Sequence, residues 1–102
     1  RYLMGDFADH TDLGTDAAIH LCGAGLVESF PLPGARRRWV LRRDARDPAQ
    51  DAEPSAEGLA AILLERLGHA PDPASNTMLS AFGIERRLAT PLPRGRVLLA
   101  GD

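Results

Sequence analysis

The clearest periodic segment of the chain lies just past its middle and predicts a helix. Over residues 55–68 the apolar side chains recur at the spacing that places them on one helical face. Ser55 stands where a helix is capped at its start, and Gly68 stands where a helix often ends. We therefore expect this helix to pack through one apolar stripe. The stripe consists of Leu59, Ile62, Leu63 and Leu67.

Extended runs precede this helix and predict strands at residues 1–7, 17–22, 26–32 and 36–43. Residues 31–34, where the last two runs meet, hold two prolines and a glycine, which favour a turn, so these runs form a predicted hairpin. Because side chains alternate along a strand, the second run of the hairpin has two distinct faces. One face carries Arg37, Trp39, Leu41 and Arg43, and the other carries Arg36, Arg38, Val40 and Arg42.

The last part of the chain continues with extended segments. Residues 77–90 are typical of a bent strand with a kink at Gly83, and residues 96–100 are typical of a short buried strand. The order is strands, one helix and more strands, without a regular alternation of strand and helix. We therefore predict an α+β fold, with a mixed, largely antiparallel sheet and the main helix packed on one face.

Composition and charge limit the class of protein. With 102 residues, 44% of them apolar and 25% charged, the chain suits one soluble domain. Its apolar runs are far shorter than the ~20 residues of a membrane helix, so no membrane partner is expected. The net charge of −2 does not indicate a nucleic-acid partner. Cys22 is the single cysteine, which excludes an internal disulfide and favours a reducing, cytoplasmic location.

Two groups of side chains contain residue types found in reactive sites, and neither predicts a catalytic residue. The acidic loop after the first strand does not have the spacing of a calcium site, so we expect a solvated loop without metal. His20 and Cys22 lie on one face of a strand, which keeps a small hydrolase as an alternative, although a buried structural cysteine is favoured. The acidic loop contains Asp6, Asp9, His10 and Asp12.

The arginine-rich run 36–43 supports a different alternative. With Trp39 it forms a strand whose guanidinium groups could bind an anion through paired hydrogen bonds. A stand-alone α+β binding module for an anionic ligand is therefore the second hypothesis. The abundance of arginine weakens it, because all twelve basic residues of the chain are arginine.

The closing segment, residues 86–102, contains the short apolar strand and ends in Gly101 and Asp102. It resembles the second flavin motif of FAD-dependent aromatic monooxygenases, the para-hydroxybenzoate hydroxylase-like superfamily. In that family the aspartate hydrogen-bonds the ribose of FAD, so the resemblance implies that Gly101 and Asp102 bind the cofactor. Residues 2–11 and 25–43 resemble the first strand and the central hairpin of the family's middle domain.

The same resemblance implies roles for the hairpin. In the family this hairpin covers the substrate and the isoalloxazine ring. By position, Ser29, Phe30, Pro31 and Trp39 would bind the substrate, and Arg37 would approach the flavin. The implied reaction is hydroxylation of an organic, aromatic substrate by FAD, NAD(P)H and oxygen.

The chain contains no glycine fingerprint for a dinucleotide, because the glycines at 23–25 have neither a third glycine nor a helix after them. We therefore expect a fragment of a larger enzyme, with a substrate-binding middle domain at 1–95 and a strand at 96–102 that leads into the FAD domain. Alone it should be inactive and should not retain FAD. Its sheet face opposite the helix would be exposed, which favours self-association.

Overall fold

The computed structural model of the chain describes residues 1–43, 53–87 and 93–98, which form seven strands, one helix and one 3-10 turn. The first four strands come before the helix α1 and are joined by short connections. Three strands follow it, one more than the two that the sequence predicts, because the predicted turn before residue 96 contains the two-residue strand β6 (Pro93–Arg94). The strands are β1 (Tyr2–Ala8), β2 (Ala18–Cys22), β3 (Gly25–Leu32), β4 (Arg36–Arg42), β5 (Met78–Phe82), β6 (Pro93–Arg94) and β7 (Val97–Leu98); α1 is Ala56–Leu67, and the 3-10 turn is Pro73–Ser75.

Five strands form one sheet in the order β2-β3-β4-β1-β5. Each neighbouring pair is antiparallel, so the predicted α+β class is confirmed, and the described strands are antiparallel throughout rather than mixed. The predicted hairpin is β3–β4, and its register pairs Ser29 with Trp39. On the other side of β4, Trp39 pairs with Gly5 of β1. The centre of the sheet is therefore β4, the arginine-rich strand.

The helix is bounded by the residues that the sequence indicates. The Ser55 hydroxyl accepts a hydrogen bond from the Gly58 amide at 3.0 Å, which satisfies one of the free donors of the first turn. Gly68 ends the helix with φ of 76°, a left-handed conformation that glycine adopts without a side-chain clash. The predicted limits of 55–68 are thus confirmed, with the two terminal residues acting as caps.

One face of the sheet packs on this helix and forms the core. Leu59 and Leu63 are fully buried against β1, β3 and β4. The close approach depends on Gly5, since a Cβ atom there would lie 2.7 Å from Phe7 Cε2 and 3.1 Å from Leu59 Cδ1. The predicted stripe is confirmed, with Ile62 and Leu67 at its partly buried margin. The sheet side of the core is Leu3, Phe7, Val27, Trp39 and Leu41.

The opposite face of the sheet is not covered by any described element. Leu21 is 87% exposed and Ile19 66% exposed on the edge strand β2, and Phe30 is exposed on β3. This arrangement agrees with the expected exposed face. Near the middle of it, Arg38 forms a two-pronged ion pair with Asp6 at 2.8 and 2.9 Å.

Two expectations for the last segments are wrong. The strand predicted over 77–90 ends at Phe82, directly before Gly83, so the glycine stops the strand rather than bending it. Of the strand predicted as buried over 96–100, the described part, Val97–Leu98, pairs with β6 in a separate two-stranded hairpin, and residues 99–100 lie outside the described residues. Val97 and Leu98 are exposed rather than buried. Neither described helical segment is long and apolar enough to cross a membrane.

Candidate functional site

A cavity of about 440 Å³ opens on the helix-bearing side of the sheet, beside Trp39. Its walls come from the loop after β1 (residues 8–13), from His20 on β2, and from residues 69–71, which follow the end of the helix. Three separate parts of the chain therefore meet there. The volume lies within the range of about 300–1,000 Å³ that is usual for small-molecule sites.

The Trp39 indole contacts two imidazole rings. The His20 ring is stacked on it, with its centroid 6.2 Å from that of the indole and the planes 29° apart. His69 meets the indole edge-on at 5.8 Å and 66°. Both distances fall in the range of favourable aromatic pairs. The three rings thus form an aromatic and partly polar wall of the cavity.

One atom of this wall has no partner within the described residues. His20 Nε2 is sealed from solvent and makes no hydrogen bond. Buried polar atoms in folded proteins are nearly always paired, so each unpaired one requires an explanation.

Arg37 fixes the loop that forms the other wall. Its guanidinium is fully buried and donates to Asp9 Oδ2 at 2.9 Å, to the Gly14 carbonyl at 2.7 Å and to the Asp16 carbonyl at 3.0 Å. A fourth hydrogen bond, of 3.3 Å, goes to the Ser29 hydroxyl. The central strand therefore holds both ends of the loop through one side chain.

Asp9 is the loop's other organising residue. Its Oδ1 accepts from the Thr11 amide at 2.9 Å and from the Thr11 hydroxyl at 2.7 Å, which closes a turn typical of aspartate. Partial burial acts to raise the pKa of Asp9, but the hydrogen bonds from Thr11 and the charged contact with Arg37 outweigh it. The pKa therefore lies below its ordinary value, and Asp9 stays ionised against Arg37.

The structure separates the four residues that the family resemblance assigns to the substrate. Ser29 and Trp39 are direct cross-strand neighbours on the helix-bearing face, and Pro31 pairs with Arg37 further along the same face. Phe30 pairs with Arg38 and lies on the opposite face. Of the four, Trp39 lines the cavity, and their roles toward a substrate stay predictions.

Of the three residues assigned to the flavin, the structure describes one, Arg37. Gly101 and Asp102 lie outside the described residues. Arg37 is described, and its hydrogen bonds run to the loop and to Ser29. Its approach to the flavin stays a prediction, while its contact with the loop is a feature that the sequence did not reveal.

The alternatives to a flavoenzyme find little support in the geometry. Arg38 is tied to Asp6, and Arg36 donates to the carbonyls of Asp6 and Ser75 at 3.0 and 2.8 Å, so these groups are not directed at an anion. The Cys22 thiol points to the His20 carbonyl at 3.9 Å rather than to an imidazole nitrogen. Among the described residues, no group of three or more acidic, histidine or cysteine side chains is placed to hold a metal.

His69 is the cavity residue that sequence reasoning missed. It follows Gly68 directly, and the left-handed turn at that glycine carries the chain from the helix to the wall beside Trp39. A histidine immediately after a helix-ending glycine is only a weak signal of a binding site. The sequence does not show which strand lies next to the end of the helix, so it does not predict the contact of His69 with Trp39. His10 and Asp12 of the loop enter the sequence analysis only as possible metal ligands, and neither is predicted there to line a cavity.

Comparison with known proteins finds a family match over nearly the whole chain. Residues 8–102, which are all but the first seven, match the sequence model of a family described as an FAD binding domain. The matched region contains every wall of the cavity, the β3–β4 hairpin and the Gly-Asp pair at the end of the chain. No curated protein and no solved structure gives a significant match.

Proposed function

This chain belongs to the family of FAD-binding domains, and we propose that it forms the substrate-binding part of a flavin-dependent monooxygenase. FAD is accordingly the cofactor of the enzyme, which is a flavin-dependent oxidoreductase. The proposed reaction hydroxylates an aromatic compound at the expense of NAD(P)H and oxygen. In the proposed division, residues 1–95 carry the substrate site and residues 96–102 lead toward the FAD domain.

The observation that carries the proposal is the cavity at Trp39. The family resemblance assigns this residue to the substrate, and it lines a cavity of about 440 Å³. Ser29, which the resemblance also assigns to the substrate, and Arg37, which it assigns to the flavin, lie on the same face beside it. A wall of aromatic rings beside a fixed polar loop is the setting in which a planar substrate is held in one orientation.

The described residues do not themselves form a cradle for the dinucleotide. Arg37 is buried and committed to the loop, and Gly101 and Asp102 lie outside the described ranges. FAD, when bound, supplies the electron transfer and the chemistry with oxygen. The part of the reaction that these residues can support is different: they bind a ring, exclude water from one side of it and present imidazole groups to its edge.

The test uses the FAD-loaded protein that contains this chain. Ring compounds are screened for stimulation of NAD(P)H oxidation, and the effective ones are compared in Trp39→Phe and Phe82→Leu variants. Trp39→Phe should raise KM by about tenfold, because it changes the shape of the cavity wall. Phe82→Leu is the control on strand β5, where the residue does not line the cavity, and it should leave KM unchanged.

Two results would overturn the proposal. One is a panel in which no ring compound raises NAD(P)H oxidation above the basal rate. The other is an equal change of KM in the two variants, which would remove the cavity from substrate binding. Circular dichroism of both variants verifies that each is folded.

A further inference from the structure

We propose that a second cavity, at the end of the sheet where β1 begins, binds the phosphate group of a free or esterified phosphate. Its volume is about 350 Å³. Tyr2 lines this cavity, whereas Ala8, at the other end of β1, lines the cavity beside Trp39. Six positions of extended strand separate Tyr2 from Ala8, which is about 20 Å. The second cavity is therefore a separate site, and the inference does not depend on the proposed function.

Two guanidinium groups line this cavity, on Arg42 at the end of β4 and on Arg43 directly after it. Within the part of the chain that the structure describes, the side chain of Arg42 is exposed and makes no hydrogen bond or ion pair. The other three arginines of β4, which are Arg36, Arg37 and Arg38, donate to groups of the protein. The donors of Arg42 are therefore available to a ligand in the cavity.

A third guanidinium borders the same place from the helix. Arg66, in the last turn of α1, donates from Nη1 to the Arg42 carbonyl at 2.9 Å. The same nitrogen lies 3.7 Å from the position that a Cβ atom on Gly25 would occupy, and Gly25 lines the cavity. The hydrogen bond to the carbonyl fixes the side chain beside the cavity, and the guanidinium has further N–H groups that can donate to a ligand.

The charge at this end of the sheet favours an anion. Among the described residues that line the second cavity, none is an aspartate or a glutamate. The cavity beside Trp39 has the opposite character, since Asp9 and Asp12 line it and its described lining contains no arginine. Guanidinium groups bind pairs of phosphate oxygens through parallel hydrogen bonds, and several cations attract a doubly charged group more strongly than a singly charged one. Phosphate therefore fits this cavity better than a carboxylate does.

The turn between β2 and β3 leaves room for the ligand next to these cations. Gly23, Ala24 and Gly25 form one side of the cavity. A Cβ atom on Gly23 would have no other atom within 4 Å, so the turn is open there. Because these residues have small side chains or none, a tetrahedral group can approach the backbone closely. The volume is in the range usual for small-molecule sites, so an esterified phosphate fits as well as the free ion.

The experiment titrates the complete chain, labelled with nitrogen-15, with inorganic phosphate, adenosine 5′-monophosphate and adenosine. The backbone amide signals of Gly23 and Gly25 report on the second cavity, and the indole signal of Trp39 reports on the other one. Both phosphates should shift the glycine signals with a Kd of about 1 mM or tighter, and adenosine should not. Tighter binding of the monophosphate assigns the site to a phosphate ester, and equal or weaker binding assigns it to free phosphate; both results support the inference.

Substitution of Arg42 tests which group holds the phosphate. Arg42→Gln should weaken phosphate binding by about fivefold to tenfold, because it removes a guanidinium that lines the cavity. Arg42→Lys keeps the charge without the paired donors and should restore part of the affinity. Arg96→Gln is the matched control, since it removes the same charge from an exposed residue that does not line the cavity. It should change the Kd by less than about twofold.

The inference is overturned if neither phosphate shifts the signals of Gly23 and Gly25, or if adenosine shifts them as strongly. It is also overturned if Arg42→Gln and Arg96→Gln weaken binding equally. Both substitutions are at exposed positions, and the spectrum of each variant verifies that it is folded. Because the titrations contain neither FAD nor a ring substrate, their outcome is independent of whether the enzyme oxygenates a ring compound.

Discussion

The Nε atom of Arg37 lies 2.9 Å from Asp9 Oδ2, and this contact joins the central strand of the sheet to the loop that walls the cavity. The guanidinium is fully buried, while the aspartate side chain is 14% exposed. A charge buried to this degree is stable only when it is paired and its donors are satisfied. The pair therefore links the stability of the fold to the shape of the candidate site.

Replacement of Arg37 should consequently destabilise the protein more than replacement of any exposed arginine. Arg37→Met removes the partner of Asp9 and leaves the carbonyls of Gly14 and Asp16 without their donors. We expect the free energy of unfolding to fall by about 3 kcal/mol or more, measured by urea denaturation. The exposed Arg42, on the same strand, gives the control Arg42→Met, which should change it by less than about 0.5 kcal/mol. Equal effects of the two substitutions would show that the buried contact does not support the fold.

The same contact predicts acid sensitivity. The pKa of Asp9 is lower in the folded chain than its ordinary value of 3.8, so the folded state binds fewer protons than the unfolded state between those two pKa values. Its contribution to stability is complete above the ordinary value and is lost as pH falls through the folded pKa. The free energy of unfolding should therefore drop below about pH 4 in the wild type and drop less steeply in Asp9→Asn. A variant with the wild-type slope would contradict this.

The close packing of the sheet on the helix gives a third prediction. A methyl group in Gly5→Ala would lie 2.7 Å from the buried ring of Phe7, so the helix or the ring must shift. We expect a loss of about 1–3 kcal/mol in the free energy of unfolding, as for other overpacked cores. Gly83→Ala is the matched control, because no atom lies within 4 Å of its added Cβ. If neither substitution changed the free energy of unfolding, the tight contact between helix and sheet at Gly5 would be contradicted.

The uncovered sheet face supports a proposal of self-association, with a second copy of the chain as the partner. Ile19 and Leu21 are both exposed, and they lie on β2, which is the edge strand of the described sheet. An apolar edge of this kind is a template for pairing with another chain. Light scattering after size exclusion, over a range of concentrations, should show a mass above that of the monomer. The double substitution Ile19→Lys and Leu21→Lys should return the monomer, whereas Leu64→Lys on the exposed side of the helix should not.

Local signals in the sequence predicted the fold more completely than they predicted the site. Ser55 and Gly68 bound the helix because capping depends on neighbouring residues, and the β3–β4 turn depends on the residues at 31–34. By contrast, Arg37 and Asp9 are 28 positions apart, and the strand pattern shows only which face Arg37 occupies. Which residue pairs with Arg37 depends on the order of the strands in the sheet, and the alternation of apolar and polar residues does not give that order.

The substrate residues illustrate the same limit. Ser29, Phe30 and Pro31 are consecutive, so a strand must direct Phe30 to the face opposite the other two. That consequence follows from the sequence alone and favours Ser29 over Phe30 as a neighbour of the cavity. The position of His69 does not follow from it, since it depends on where the helix end meets Trp39.

The central claim, that this chain holds an aromatic substrate for a flavin enzyme that inserts oxygen, is tested most directly by isotopic labelling. The FAD-loaded protein containing the chain is supplied with NAD(P)H, a ring compound that raises NAD(P)H oxidation, and oxygen gas of the heavy isotope, and the product is analysed by mass spectrometry. The account predicts a hydroxylated ring that carries one heavy oxygen atom derived from the gas. A product whose added oxygen comes from water, or oxidation of NAD(P)H without any hydroxylated product, would contradict it.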